Sequence, residues 1–245
     1  MRNRKSSWFW LIAVVVLAGC GGTTVPTNPL NVLIEGMSDQ GSYTVILDDM
    51  DLKDDQYTHR YKVCRVNQDS TVSVGYTKSI PVSEDFFFLH EDNIGMELVS
   101  RTTHGATNSL VSPPGFTNFV GNKYYGEWKE AFVDTVDVLN YEDSTFWVFN
   151  ARHQNLAHEL GVDGLNITLL EYKEFRDVYL FNRPYYGPKT APDSTKYGTR
   201  SAHMVRYYPG FYRRRTLNRN FRKRYSSSST GSRGGLSLIH ISEPT

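Results

Sequence analysis

Cysteine is scarce in this chain of 245 residues, which contains only Cys20 and Cys64. A single internal disulfide would have to join these two, so any other use of Cys20 leaves Cys64 without a partner inside the chain. Cys64 stands in a run of strand-forming residues. We therefore expect it to be a small buried apolar residue rather than a reactive thiol.

The motifs that carry common enzymatic chemistries are also missing. The sequence contains no Gly-x-Ser-x-Gly nucleophile motif, no phosphate-binding P-loop and no dinucleotide glycine fingerprint. No cofactor is predicted, and the sequence favours a non-enzymatic role without deciding the matter. The informative features are the N-terminal segment, the distribution of charge and the hydrophobic periodicity.

The N-terminal apolar run, twelve uncharged residues from Trp8 to Gly19, is too short for a comfortable transmembrane helix. It follows the positive residues Arg2, Arg4 and Lys5, which is the order of a secretory signal peptide. The run closes with Leu17-Ala18-Gly19-Cys20, which resembles a bacterial lipobox.

That resemblance implies a lipoprotein signal peptide at 1–19, after whose removal a lipidated Cys20 becomes the N-terminus. Residues 20–28 would then be a tether, and we expect a protein anchored by its acyl chains, palmitate among them, in the cell envelope. Gly21 is the small residue that typically follows the cysteine in outer-membrane lipoproteins, so we prefer the outer to the inner membrane. An ordinary signal peptide, or a membrane anchor with a chance cysteine, is the alternative.

The net charge of +1 conceals a strong asymmetry. Residues 20–199 contain 14 lysines and arginines against 25 aspartates and glutamates, a net charge of −11. Residues 200–233 contain ten basic residues and no acidic one. An acidic body followed by a basic arm predicts a folded domain with a segment that meets an anionic partner.

The basic arm interleaves positive and aromatic side chains. Its predicted anion-binding residues are Arg213, Arg214, Arg215, Arg219, Arg222, Lys223 and Arg224. This pattern also suits single-stranded nucleic acid, but an exported protein makes that partner unlikely and favours anionic lipid, lipopolysaccharide, a cell-wall polymer or an envelope protein. A solvated, solubilising tail is the open alternative.

Hydrophobic spacing predicts an α+β fold. After Pro29, apolar residues recur at the helical positions 30, 33, 34 and 37, and Ser83 is a plausible start for another helix. Alternation predicts strands around 43–48, 57–64, 71–76 and 96–101, with Pro81 ending the third. We predict an antiparallel meander with a packed helix, forming a domain over 29–112.

A turn at Pro113-Pro114-Gly115 precedes a predicted helical part over 113–182, packed on the first domain. Two stripes of apolar residues at helical spacing support it. The first contains Trp128, Phe132, Val136 and Leu139. The second follows a cap at Asp143-Ser144 and contains Phe146, Phe149, Leu156 and Leu160. The composition of residues 183–235, rich in tyrosine, arginine and serine, predicts an irregular to disordered basic tail. Residues 236–245 resemble translated sequencing-adapter read-through and are left out of fold reasoning.

Two groups of residues are candidate metal ligands, which would support an alternative function as a metal-dependent hydrolase or cation-binding protein. His153 and His158 are five apart, whereas a zincin needs four, so a core histidine is the preferred reading of His153. Asp48, Asp49 and Asp51 belong to an acidic cluster over 48–55 that departs from an EF-hand loop. We interpret that cluster as a solvated turn between two strands, with a weak surface cation site as the alternative.

Several further stretches resemble a group of bacterial envelope proteins with Ser/Arg-rich tails. They are Val45-Ile46-Leu47-Asp48-Asp49-Met50-Asp51, Gly95-Met96-Glu97, Pro113-Pro114-Gly115-Phe116 to Gly121-Asn122, and Arg183-Pro184-Tyr185-Tyr186-Gly187-Pro188. The resemblance implies a shared fold over most of the mature chain. It implies no activity, and no functional residues follow from it.

Overall fold

The computed structural model of the protein describes residues 28–37, 41–67, 69, 71–102, 105–131 and 144–217. The predicted signal peptide, Cys20 and the predicted tether up to Thr27 lie outside these residues. So do the basic residues from Arg219 to Arg224 and residues 236–245. In the part of the chain that is described, no helix has both the length and the hydropathy that crossing a membrane requires.

The protein combines short helices with antiparallel sheets, which confirms the predicted α+β class. In chain order the elements are α1 (Pro29–Glu35), β1 (Tyr43–Lys53), β2 (Gln56–Val66), β3 (Val72–Tyr76), β4 (Ile80–Pro81), α2 (Glu84–Leu89), β5 (Glu97–Arg101), β6 (Thr107–Asn108), β7 (Gly126–Glu130), β8 (Thr145–Phe149), a 3-10 turn (Ala151–His153), α3 (Gln154–Leu160), α4 (Leu169–Leu180), β9 (Lys189–Ala191), β10 (Ser194–Thr195), α5 (Ala202–Tyr207) and α6 (Pro209–Leu217).

The central sheet has the strand order β3-β2-β1-β5-β6, and the short strand β4 also pairs with β2. Its longest hairpin joins β1 to β2 through Asp54 and Asp55, both of which have positive φ angles (50° and 58°). Two consecutive positive φ values are typical of the tight turns whose twist matches that of the flanking strands. Pro81 lies in β4 rather than at the end of β3, because three residues of irregular chain already follow Tyr76.

Side-chain caps begin the two helices that the sequence placed at Pro29 and Ser83. The carboxamide oxygen of Asn28 accepts a hydrogen bond from the Leu30 amide (3.0 Å), with Pro29 in the first turn. The Ser83 hydroxyl accepts one from the Phe86 amide (3.2 Å). Both caps satisfy amides that have no partner inside the helix.

The central sheet is covered by helices on both faces. Tyr43, Val45 and Leu47 of β1 face one core, into which α1 and α2 also pack. Ile46 of β1 and Cys64 of β2 face a second core, which is completed by α3 and α4. Cys64 is fully buried, and burial raises the pKa of its thiol to about 12, as expected for an inert core cysteine. Both faces of the sheet are therefore withdrawn from water along most of β1.

The predicted helical stripes through Trp128 and through Phe146 and Phe149 are wrong in the described residues. Residues 126–130 and 145–149 form the β7–β8 hairpin, in which Trp128 lies opposite Trp147 with ring centroids 5.1 Å apart. Aromatic pairs across strands stabilise a hairpin and override a spacing that also fits a helix. Only the later part of the second stripe is helical, in α3, and 132–143 lie outside the described residues.

The structure differs from the irregular to disordered tail predicted for 183–235: residues 183–201 are mostly irregular chain with one small hairpin, but residues 202–217 form two helices. After the small β9–β10 hairpin, α5 and α6 pack on the body of the protein. Tyr197 and Met204 are buried in the second core and Phe211 in the first. These three apolar side chains supply the burial that the arginine-rich composition concealed.

We expect Phe211→Ala to lower the free energy of unfolding by about 3–5 kcal/mol, because it leaves a cavity where a 2%-exposed aromatic ring packs. The matched control is Phe181→Ala, since that ring is 75% exposed and its loss should change stability by less than about 0.5 kcal/mol. Urea unfolding of the full chain measures both values. Equal, small effects of the two substitutions would show that α6 does not pack as described.

Candidate functional site

A β-bulge in β1 brings two aspartates against one arginine. Leu47 lies opposite Tyr61 and Asp49 lies opposite Arg60, so Asp48 is an extra residue on β1. The Arg60 Nε donates a hydrogen bond to Asp48 Oδ2 (2.5 Å), and its Nη2 lies 4.0 Å from Asp49 Oδ2. A bulge re-aims side chains in this way because two residues of one strand face one residue of its partner.

The half of β1 beyond the bulge is an edge of the sheet. The strand β5 pairs with β1 only along Tyr43–Ile46, so beyond the bulge the described chain places a strand on one side of β1 only. The Met50 amide donates to Asp49 Oδ1 (3.0 Å) and the Leu52 amide donates to Asp51 Oδ1 (2.9 Å). Carboxylates of the strand's own residues thus accept hydrogen bonds that a neighbouring strand would otherwise take.

Helix α6 lies against this edge and contributes the opposite charge. Arg214 donates from Nη2 to Asp49 Oδ1, and its Nε lies 3.5 Å from Asp51 Oδ2. Phe211, one turn earlier, inserts into the first core. Hydrophobic burial and charge pairing therefore attach the same helix to the same strand.

A half-open cavity of about 260 Å³ lies at this contact, between β1 and the start of α6. Asp48, Asp49, Arg60 and Arg214 line it together with Tyr208. Burial raises the pKa of Asp49, whereas the guanidinium groups of Arg214 and Arg60 act in the opposite direction. Because each carboxylate already faces a guanidinium group, the cavity presents a balanced network rather than an unmatched charge.

The predicted anion-binding residues divide into different environments. Arg213 is exposed to solvent on α6, whereas Arg214 is bound to the aspartates of β1. Arg215 is half-buried. The remaining candidates, Arg219, Arg222, Lys223 and Arg224, lie outside the described residues, so the structure places only the start of the basic arm.

The candidate metal ligands do not come together around a common point. Asp48 and Asp49 lie in β1 and not in a solvated turn, and the turn itself is limited to Asp54 and Asp55. Over the described ranges, no group of three or more His, Cys, Asp or Glu side chains could hold a metal ion. The acidic cluster was misread because the hydrophobic residues between its aspartates, which alternate toward the core, outweigh the local charge.

The two histidines of the alternative reading have separate surroundings. His153 is buried against the ring of Tyr125 (centroids 5.0 Å apart), with its Nδ1 2.9 Å from Asn150 Oδ1. Burial lowers the pKa of His153, with a further contribution from Arg152. The exposed His158 has its Nδ1 3.4 Å from Asp163 Oδ2.

No protein-family model, curated protein or solved structure matches this chain.

A fully buried carboxylate at Glu97 escaped the sequence reasoning. Glu97 Oε2 accepts hydrogen bonds from the Thr44 hydroxyl and from the Gly115 amide (3.0 Å). Its Oε1 accepts from the hydroxyls of Ser112 (3.3 Å) and Thr117. The carboxylate thereby connects β1 and β5 to the turn that begins at Pro113, and a lone acidic residue between apolar neighbours was its only signal in the sequence.

A double-mutant cycle measures the contact between β1 and α6. We expect Asp49→Ala and Arg214→Ala to couple by about 0.5–1.5 kcal/mol, more than an ordinary surface pair, because Asp49 is largely shielded from water. The coupling should shrink as salt is raised. The control is a cycle on Glu127 and Lys129, whose side chains are mostly exposed and whose coupling should be near zero. Equal coupling in the two cycles would contradict the assignment.

Substitution at Glu97 should have a pH-dependent effect. Burial raises the pKa of Glu97 above its ordinary value of 4.5, although the hydrogen bonds from Thr117, Thr44 and Gly115 oppose the shift. The stabilisation from such a group is complete below pH 4.5 and is lost as the pH rises through the folded-state pKa.

Glu97→Gln should therefore gain stability relative to the original chain as the pH rises from about 4.5 to about 8, by about 1.4 kcal/mol for each unit of pKa shift. Urea unfolding at the two pH values measures this difference. Glu127→Gln at an exposed position is the control and should give a constant difference. A Glu97→Gln variant that loses relative stability on going to high pH would show that the carboxylate is ionised and stabilising.

Proposed function

We propose that the protein is a lipid-anchored, non-enzymatic module of the bacterial cell envelope, whose basic arm binds an anionic surface. The acyl chains on Cys20 hold the protein in the outer membrane, and the arm over 213–224 makes a second, electrostatic contact. The supporting sequence features are the lipobox-like ending of the signal segment and the separation of an acidic body from a basic C-terminal segment.

The main support for an electrostatic contact by the basic arm is the attachment of α6 to β1. Arg214 is bound by Asp49 and Asp51, and α6 ends at Leu217. The remaining basic cluster starts two residues later, at Arg219. A segment that begins at a fixed point loses less conformational freedom on binding than one joined through a long flexible linker.

The division of charge would also orient the protein. The body, at −11 over residues 20–199, is repelled by an anionic surface, whereas each basic side chain near such a surface contributes about 1 kcal/mol of attraction. Arg214 is excluded from that sum because its charge is already paired. The lipid anchor supplies residence on the membrane and the arm determines which side of the domain approaches it.

Vesicle binding of the mature chain from residue 20 tests the arm, with Cys20→Ser introduced so that no lipid is attached and with the basic, apolar segment 1–19 removed so that it does not bind the vesicles itself. We expect binding to vesicles with anionic lipid at low salt, a loss of at least tenfold in affinity when Arg219, Arg222, Lys223 and Arg224 are changed to alanine, and a decline as salt is raised.

The matched control removes four positive charges from the body, at Lys53, Lys123, Arg176 and Arg183, all of which are exposed. That variant should bind the anionic vesicles at least as tightly as the chain in which these four residues are unchanged. Binding that is indifferent to salt and to the arm substitutions would refute the electrostatic role. The anchor is tested on the protein isolated from cells, in which mass spectrometry should find a chain that begins with an acylated Cys20; an unmodified Cys20 would refute the location.

A further inference from the structure

Two stretches of edge in the central sheet, the half of β1 beyond the bulge and the strand β3, differ in how they are covered. The open half of β1 carries aspartates and is covered by α6. The strand β3, at the other side, pairs with β2, and the described chain places no strand beyond it. Its five residues, Val72–Tyr76, contain no charge and no proline, and their pairing with β2 has no bulge. Charged residues, prolines and bulges usually protect an edge strand from pairing with another strand, and β3 has none of them.

The outward-facing backbone groups of β3 follow from its register. The Asn67 amide donates to the Thr71 carbonyl and the Thr77 amide donates to the Tyr61 carbonyl, both at 2.9 Å. In an antiparallel pair the hydrogen-bonded positions recur every second residue, so 73 and 75 also bond to β2. The amides and carbonyls of Val72, Val74 and Tyr76 therefore point away from the sheet.

The end of β3 is exposed on both faces of the sheet. Tyr76 is 58% exposed, and a Cβ added at Gly75, which would project from the opposite face, would meet no described atom within 4 Å. On the adjacent strand β2, Lys62 lies opposite Tyr76 and Arg65 lies opposite Ser73. The Lys62 Nζ is paired with Glu159 (3.3 Å) and lies 5.9 Å from the centre of the Tyr76 ring, over a face of the sheet rather than beside its edge.

We propose that β3 is a self-association edge, along which a second copy of this chain pairs antiparallel with Val74 opposite Val74. In that register Tyr76 of one copy lies opposite Val72 of the other, an aromatic and β-branched pair that favours strand pairing. The two central sheets become one continuous sheet with a two-fold axis.

Charge at the ends of the strand selects a second copy over an unrelated extended segment. Asp69 stands before β3 and Lys78 stands after it, both exposed. Antiparallel pairing of two copies brings the entrance of one strand beside the exit of the other, so Asp69 and Lys78 meet twice. A contact of five residues is small beside a standard stable interface, so the dimer forms in the micromolar range or above.

Analytical ultracentrifugation of the mature chain from residue 20, carrying Cys20→Ser, tests the proposal between about 1 and about 300 µM, the range for a contact of this size. We expect a reversible monomer–dimer equilibrium, which Tyr76→Lys weakens at least tenfold by adding a charge to the edge. Phe181→Lys adds the same charge at another exposed aromatic residue and should leave the equilibrium unchanged.

Disulfide trapping tests the register in the same background. Hydrogen-bonded antiparallel residues have Cα atoms about 5.5 Å apart, which suits a disulfide, so Val74→Cys should form a covalent dimer on oxidation. Ser73→Cys is the control, because its equivalent in the second copy lies two residues along the strand, beyond disulfide reach. The native Cys64 does not compete, since it is buried and its thiol pKa is raised to about 12.

Each of three results would overturn the proposal. They are a chain that stays monomeric at every concentration, a dimer that survives Tyr76→Lys without trapping at Val74→Cys, and equal trapping at Ser73→Cys. None of them bears on vesicle binding by the basic arm, so this inference and the proposed function fail separately.

Discussion

The contact between α6 and the outer half of β1 satisfies a requirement that every sheet edge imposes. Backbone amides that no strand pairs must find other acceptors, and here Asp49 and Asp51 provide them for Met50 and Leu52. Concentrating carboxylates on a partly buried strand would be unfavourable without positive charge beside them. Arg60 and Arg214 supply it, so the backbone, the acidic cluster and the last described helix depend on one another.

The residues after the first predicted domain are also required to complete the hydrophobic core. A sheet with apolar side chains on both faces needs two covering layers, and the second layer comes almost wholly from residues after Pro113. The segment from Tyr185 to Phe211 then returns across the molecule, with Tyr197 and Met204 in one core and Phe211 in the other. The folded body consequently extends into the arginine-rich segment, at least as far as α6.

Regular alternation made the first part of the fold predictable, and competing patterns made the rest difficult. Tyr43, Val45 and Leu47 alternate without interruption, and Pro29 and Ser83 are strong helix starts, so these elements could be read directly. Trp128 fits a helical stripe as well as a strand, and only its cross-strand partner Trp147 distinguishes them. The pairing of Arg214 with Asp49 joins residues 165 positions apart, which no local pattern reveals. Glu97 was missed for the same reason, since its hydrogen-bond donors come from other segments.

The bulge at Asp48 determines which face of β1 carries the apolar side chains after it. Val45 and Leu47 precede it, Met50 and Leu52 follow it, and all four side chains reach the same core although Leu47 and Met50 are separated by two residues. Strict alternation would send the later pair into the opposite layer. The bulge thus absorbs the extra aspartate and keeps the later apolar residues on the same face as the earlier ones. Pairing Asp48 regularly with β2 would turn Met50 and Leu52 away from their core and point the following aspartates into it, whereas deleting Asp48 would restore plain alternation.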